Sequence, residues 1–192
     1  MEEMIPILIV VGAVVLLPLI WLIATYNILV RLRQHLRVSW SGVETELQRR
    51  YDLIPNLVEV VKGYAKHERE TLEHVVELRN AAAANHGTPK EQEGDENAFI
   101  GGVKQLFAVA EAYPDLKANQ NFMQLHGELV NTEDRIQAAR RFYNANVRDL
   151  NTRVGVFPSN LVAGMFGFQE AQYFEIEESS IRAVPKVSLV SG

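Results

Sequence analysis

The sequence predicts an all-α protein in which an N-terminal transmembrane helix runs on into a long-helix antiparallel bundle of three to four helices. Three observations carry that expectation. Met4 to Val30 is a run of 27 residues without one charged side chain. Beyond it, apolar residues recur at steps of three and four over most of about 50 residues, the spacing of one helix face. No window alternates with the period of two that a half-buried strand would show.

The first element is the span itself. Its most apolar part, Met4 to Tyr26, is 23 residues, or about 34 Å of helix at about 1.5 Å per residue, against a hydrocarbon core of about 30 Å. A cleaved signal peptide would have a basic start, a shorter apolar core and a small-residue cleavage site. Here the start is Met1-Glu2-Glu3, and no Ala-x-Ala pattern closes the run. Trp21 and Tyr26 fall where aromatic residues mark a membrane interface. None of the 19 Lys and Arg precedes Arg31, whereas Arg31, Arg33 and Arg37 follow within seven positions. Basic residues mark the cytoplasmic flank. The expected topology is therefore residues 1–3 outside the cell, 4–26 in the bilayer and the bulk of the chain in the cytoplasm.

Residues 27–178 read as one helical domain, large enough for its own core, and 179–192 as a loose Val/Ser/Pro-rich tail. The first stripe runs from Leu29 through Leu32, Leu36, Trp40, Val43, Leu47, Tyr51, Ile54, Val58, Val61, Ala65 and Leu72 to Val75, with one seven-residue stride. It predicts a single helix over 27–84, kinked at Pro55, with Asp52 as the alternative start of a new helix. The polar stretch 85–97 reads as an exposed loop. Phe99 to Ala112 is a shorter helix, ended by Pro114 and Asp115. Asn121, with Gln124 three residues on, is a plausible cap for the next helix. That helix follows the stripe Phe122, Leu125, Leu129, Ile136, Ala139, Tyr143, Val147, Leu150, Val154 until Phe157-Pro158. Full turns between the helices are favoured over one long hairpin, which would leave both stripes half exposed.

Candidate chemistry is sparse. The chain has a formal net charge of −5, and no basic domain or stripe of the kind that binds nucleic acid. It has no cysteine, hence neither a disulfide framework nor a thiol nucleophile. No Gly-x-Ser-x-Gly elbow or phosphate-cradling glycine loop occurs, so no catalytic residue and no cofactor are assigned. His67, Glu70, His74 and Glu77 share helical spacing. They lack the order and the partner motif of a bundle metal site, and a solvated polar face accounts for them better. The best functional candidate is the aromatic segment Phe157, Leu161, Met165, Phe166 and Phe168. It is either a surface for lipid or a partner, or a terminal element folding back on the core, the latter favoured by the absence of Lys and Arg from Val154 to Ile181.

These motifs resemble the LemA family. The resemblance is carried by Tyr26-Asn27, by Gln48-Arg49-Arg50-x-Asp52-Leu-Ile-Pro-Asn-Leu-Val58 and by Val61-Lys-Gly-Tyr-Ala65. Most specific is Ala108-Val-Ala-Glu-Ala-Tyr-Pro-Asp-Leu-Lys-Ala-Asn119, followed by Glu128-Leu129, Thr132-Glu133, Tyr143-Asn144 and Phe157-Pro158. It covers roughly residues 26–175. It implies a bacterial inner-membrane protein of one span, N-terminus out, with a cytoplasmic helical bundle and no established catalysis. One branch of the family is associated with magnetosome membranes. Asp52, Pro55, Pro114 and Asp115 are expected at structural breaks.

The function expected is a non-enzymatic scaffold in the lipid bilayer, self-associating as a homo-oligomer and organising membrane or membrane-protein partners. The alternative is an accessory or sensor subunit that docks an envelope enzyme such as a membrane protease. A metal-dependent enzyme at the histidine face stands third.

Overall fold

The computed structural model describes residues 4–176, with side chains from Gly12 onward. Residues 1–3 and the tail expected at 179–192 lie outside them. The described residues form six helices: α1 Met4–Lys62, α2 Arg69–Ala84, α3 Pro89–Glu111, α4 Pro114–Lys117, α5 Gln120–Gly155 and α6 Ser159–Met165. No strand occurs among them. The apolar run and the first bundle helix are one uninterrupted helix of 59 residues.

The chain divides into two compact units. Ser41–Phe142 with Gln172–Gly192 is one, and Met1–Trp40 with Tyr143–Ala171 is the other. In the first, the end of α1, then α2, α3 and the beginning of α5 alternate in direction. Arg79 of α2 reaches Tyr51 of α1, Tyr51 packs on Phe99 of α3, and Phe107 of α3 meets Phe122 of α5. Leu47, Ile54, Leu57, Val61, Leu72, Val75, Phe99, Leu106 and Leu129 supply the core, each almost fully buried. Gly102 lets α2 and α3 approach closely: a Cβ there would stand 2.8 Å from the Leu78 side chain. Two turns meet at one end, where Asn119 Nδ2 donates to the Tyr64 hydroxyl at 2.9 Å.

Four expectations are corrected. The helix expected over 27–84 is two helices, separated by residues 63–68. The seven-residue stride from Ala65 to Leu72 is the trace of that turn, where Tyr64 and Ala65 donate back to the Val61 carbonyl. Asp52 and Pro55 are not breaks, since α1 runs through both. Proline has no N–H, so the carbonyl four residues back loses its helical donor. Arg79 Nε supplies one instead, 3.0 Å from the Tyr51 carbonyl. Asp52 sits beside this contact, accepting from Gln48 at 2.8 Å and pairing with Arg79 at 3.8 Å.

The loop expected at 85–97 is confined to 85–88, because α3 begins at Pro89. Thr88 and Glu91 form a reciprocal capping box with Pro89 in the first turn, a sequence-local start signal. The Glu91 carboxylate accepts the Thr88 N–H at 2.6 Å; that backbone bond first, then the Thr88 side chain, holds it below the usual carboxylate range. The cap of α5 is Asn119, whose Oδ1 accepts the Phe122 N–H at 3.0 Å, and Asn121 lies inside the helix. Pro114 and Asp115 open the short helix α4.

Candidate membrane-proximal apolar surface

The second unit holds the segment singled out from the sequence. Here α1 and α5 run antiparallel, with Trp40 on Tyr143 at 5.1 Å between ring centroids and Leu29 in one core with Leu150. Burial pushes the Tyr143 phenol up to about 12.

After α5 the chain turns at Phe157-Pro158, and the Ser159 hydroxyl donates to the carbonyls of Arg153 and Val156 at 2.7 and 2.9 Å. The next helix, α6, ends in a Schellman motif. Gly167 takes φ +68°, Phe168 N–H bonds the Ala163 carbonyl at 2.9 Å, and Gly167 N–H bonds that of Gly164 at 3.4 Å. Glycine occupies the left-handed position because a Cβ is disfavoured there. The reversal returns Phe168 beneath its own helix, into a core with Val162, Ala163, Leu29 and Leu150. Asn151 secures the exit through a pair of bonds with Ala171, 2.9 and 2.8 Å.

The helix is therefore two-faced. Val162 and Ala163 are buried, as a returning terminal element requires. Phe157, Leu161, Met165 and Phe166 are exposed by 75, 59, 68 and 46 %. Leu161 and Met165 are four residues apart within α6, which places them on one side, and Phe157 stands exposed in the turn before it. Tyr26 of α1 packs against Phe166 at a tilt, with centroids 4.7 Å apart, and meets Phe168 edge-on at 6.0 Å. The Arg33 guanidinium lies 4.9 Å from the Phe168 ring centroid. Tyr26 and Arg33 thus meet the aromatic segment, while Trp21, Arg31 and Arg37 are exposed.

The histidine face is not assembled. His67 lies in the turn before α2, with Glu70, His74 and Glu77 in that helix. His74 Nδ1 is 3.9 Å from Glu77 Oε2 on the exposed surface. No group of three or more His, Cys, Asp or Glu is placed to hold a metal ion among the described residues.

Sequence reasoning missed a polar centre in the bundle. Arg50 of α1 is fully buried, and so, nearly, are Glu96 of α3 and Glu133 of α5. The Arg50 guanidinium donates to both carboxylates, to Glu133 at 3.1 Å, and its charge lies 5.1 Å from the Phe99 ring centroid. The Tyr51 hydroxyl donates to the second oxygen of Glu96, and burial raises the Tyr51 phenol despite the opposing charge of Arg50. The signal was present in the stripes. Arg50 is three residues after Leu47 and four before Ile54, and Glu133 bisects the gap from Leu129 to Ile136. The arrangement ties three helices together at one level, and a buried ion pair of this kind is weak evidence for added stability.

An all-helical chain whose bundle grows directly from a helix long and apolar enough to cross a membrane, the one such helix among the described residues, has the build of a membrane-anchored helical protein. The chain belongs to the LemA family, whose profile matches residues 39–189. It is similar to "Magnetosome protein MamQ 2" of Paramagnetospirillum magneticum, 27% identical over 179 residues that cover 80% of this chain and 66% of the relative. It is also similar to "Magnetosome protein MamQ" of Magnetospirillum gryphiswaldense, 25% identical over 178 residues, covering 80% and 65%. "Protein LemA" of Metamycoplasma hominis is 26% identical over 155 residues, covering 79% and 69%. The chain spans just under two thirds of the length of the MamQ relatives.

Proposed function

We propose that this protein is a non-enzymatic membrane-anchored scaffold, self-associating through its helical domain and organising membrane or membrane-protein partners. The observation that carries the reading is the continuity of α1. One helix holds both the apolar run and the face that builds the bundle core, so the domain is joined to its anchor without a linker. A protein that positions neighbours on a membrane draws on such coupling.

Two further features support this reading. Large apolar side chains stand exposed on the helices beyond the apolar run, among them Met123 and Phe142, and self-association is one way to cover them. Relatives are named as magnetosome proteins, which supports reading membrane organisation as the task. The basic residues after the span support a topology with the domain in the cytoplasm and the N-terminus outside, and the proposed location is the inner membrane of a bacterium.

Native mass spectrometry of the full chain in lipid nanodiscs, paired with in-cell crosslinking, tests the proposal. Homo-oligomers, with self-crosslinks through the exposed helix faces, are expected. A strictly monomeric particle whose crosslinks all lead to one envelope enzyme would replace the scaffold with an accessory-subunit role. Protease protection in right-side-out vesicles tests the topology: digestion of the helical domain from outside would reverse it.

A further inference from the structure

We propose that the outward face of α6 is a second membrane contact, lying in the interfacial layer of the bilayer that α1 crosses, with Phe157, Leu161, Met165 and Phe166 turned into lipid. This rests on the anchored reading above.

The first argument is one of level. The core beneath α6 includes Leu22 and Tyr26 of α1 among the side chains packed against it, and both belong to the apolar run Met4 to Tyr26. With that run in the hydrocarbon, any element seated on Leu22 and Tyr26 is at the boundary between acyl chains and headgroups. The second is continuity. Val14, Leu17, Ile20 and Ile23 of the run are exposed within the chain, as lipid-facing side chains are, and the α6 face extends that surface sideways from its end.

The third is chemistry. Interfacial helices bury one apolar face about 5–10 Å into the boundary and keep polar groups on the other side. Leu161 and Met165 give α6 one large exposed apolar side chain per turn beside the exposed Asn160 and Gly164, and no Lys or Arg lies between Val154 and Ile181. Cationic groups come instead from α1, one to three turns past Tyr26. There Arg33 covers the Phe168 ring, with Arg31 and Arg37 exposed nearby, at headgroup depth. The apolar face is thus fitted to the uncharged acyl boundary, and attraction to anionic lipid is not what holds it. A second copy of the chain is the competing occupant, and the experiment separates the two.

The chain has no native cysteine, so single nitroxide labels can be placed at will. Labels at L161C and M165C are compared with I20C in the span and V38C, an α1 position exposed by 69 % that lies 12 residues beyond Tyr26, or about 18 Å along the helix. The full-length protein is placed in nanodiscs of phosphatidylcholine alone. Collision rates with oxygen, which dissolves in lipid, and with a water-soluble nickel chelate are then measured. The expected result is that 161 and 165 lose nearly all nickel collisions and keep oxygen collisions, as 20 does, while 38 remains open to nickel. Nickel access at 161 and 165 equal to that at 38 would overturn the proposal. Protection from both reagents would also overturn it, showing protein on that face. Failure of the Ile20 label to behave as a lipid-facing site would instead overturn the anchor.

Discussion

Replacing Arg79 should reveal what Pro55 costs the first helix. In the native chain the Tyr51 carbonyl has lost its helical donor to the proline and takes Arg79 Nε at 3.0 Å in its place. The substitution Arg79→Leu removes that donor beside a residue only 5 % exposed. An orphaned buried acceptor costs about 1–3 kcal/mol. The same change breaks the pair with Asp52 at 3.8 Å, which is worth about 0–1 kcal/mol because Asp52 is exposed. The expected loss is about 1–4 kcal/mol. In a Pro55→Ala background residue 55 has an N–H again, and the helix itself satisfies Tyr51. Arg79→Leu should then cost only about 0–1 kcal/mol, the ion-pair part. The coupling between the two positions, about 1–3 kcal/mol, is read from a double-mutant cycle of urea unfolding, followed by circular dichroism on the full chain in detergent micelles. Equal costs of Arg79→Leu in both backgrounds would refute the reasoning.

Three further outcomes follow from the same contacts. Arg50→Met abandons Glu96 and Glu133 in the bundle and should destabilise it by about 3–5 kcal/mol, whereas Arg50→Met with Glu96→Leu and Glu133→Leu should recover most of that loss, both read from urea midpoints. The Glu91 carboxylate is depressed by its bond from the Thr88 backbone, so its contribution is complete above the ordinary value of 4.5 and disappears as pH falls through the lower folded value. Amide exchange at Thr88 should therefore accelerate in acid relative to amides in mid-α3, and Glu91→Gln should flatten that dependence. Tyr143, raised to about 12 by burial, should ionise last in an ultraviolet titration. The stability that its neutral form contributes is present below pH 10 and is lost as pH rises towards 12, and Tyr143→Phe should remove that final phase.

Much of the fold was legible because burial and helical period coincide in this chain. Leu29, Val43, Leu47, Ile54, Val61, Leu72 and Val75 were placed on one stripe from spacing alone, and all are buried. Errors arose where composition and periodicity disagreed. The stretch Lys90 to Asn97 is polar enough to pass for a loop, yet Thr88-Pro89-Lys90-Glu91 is a helix start. Pro55 looked like an interruption because its replacement donor lies 24 residues away at Arg79, which no local window contains. The polar centre went unread for the same reason. Arg50, Glu96 and Glu133 each look like surface residues until three helices bring them together. For the aromatic segment, the opposition between core element and exposed surface was false. Val162 and Phe168 serve the first and Leu161 and Met165 the second, a division that depends on the turn at Gly167.

The unit that contains α6 is made from two stretches far apart in sequence, one up to Trp40 and one from Tyr143 to Ala171. More than a hundred residues separate the parts, and the entropy of closing a loop rises with its length. The helices between them, α2 and α3 above all, meet through short turns and have far nearer partners to find. On a ribosome the apolar run emerges before α2 and α3, and α6 emerges after them. Connectivity then favours an order in which the intervening helices collect before α6 closes on Leu29. Until that moment Leu29 and Leu150 have no cover from Val162 and Phe168.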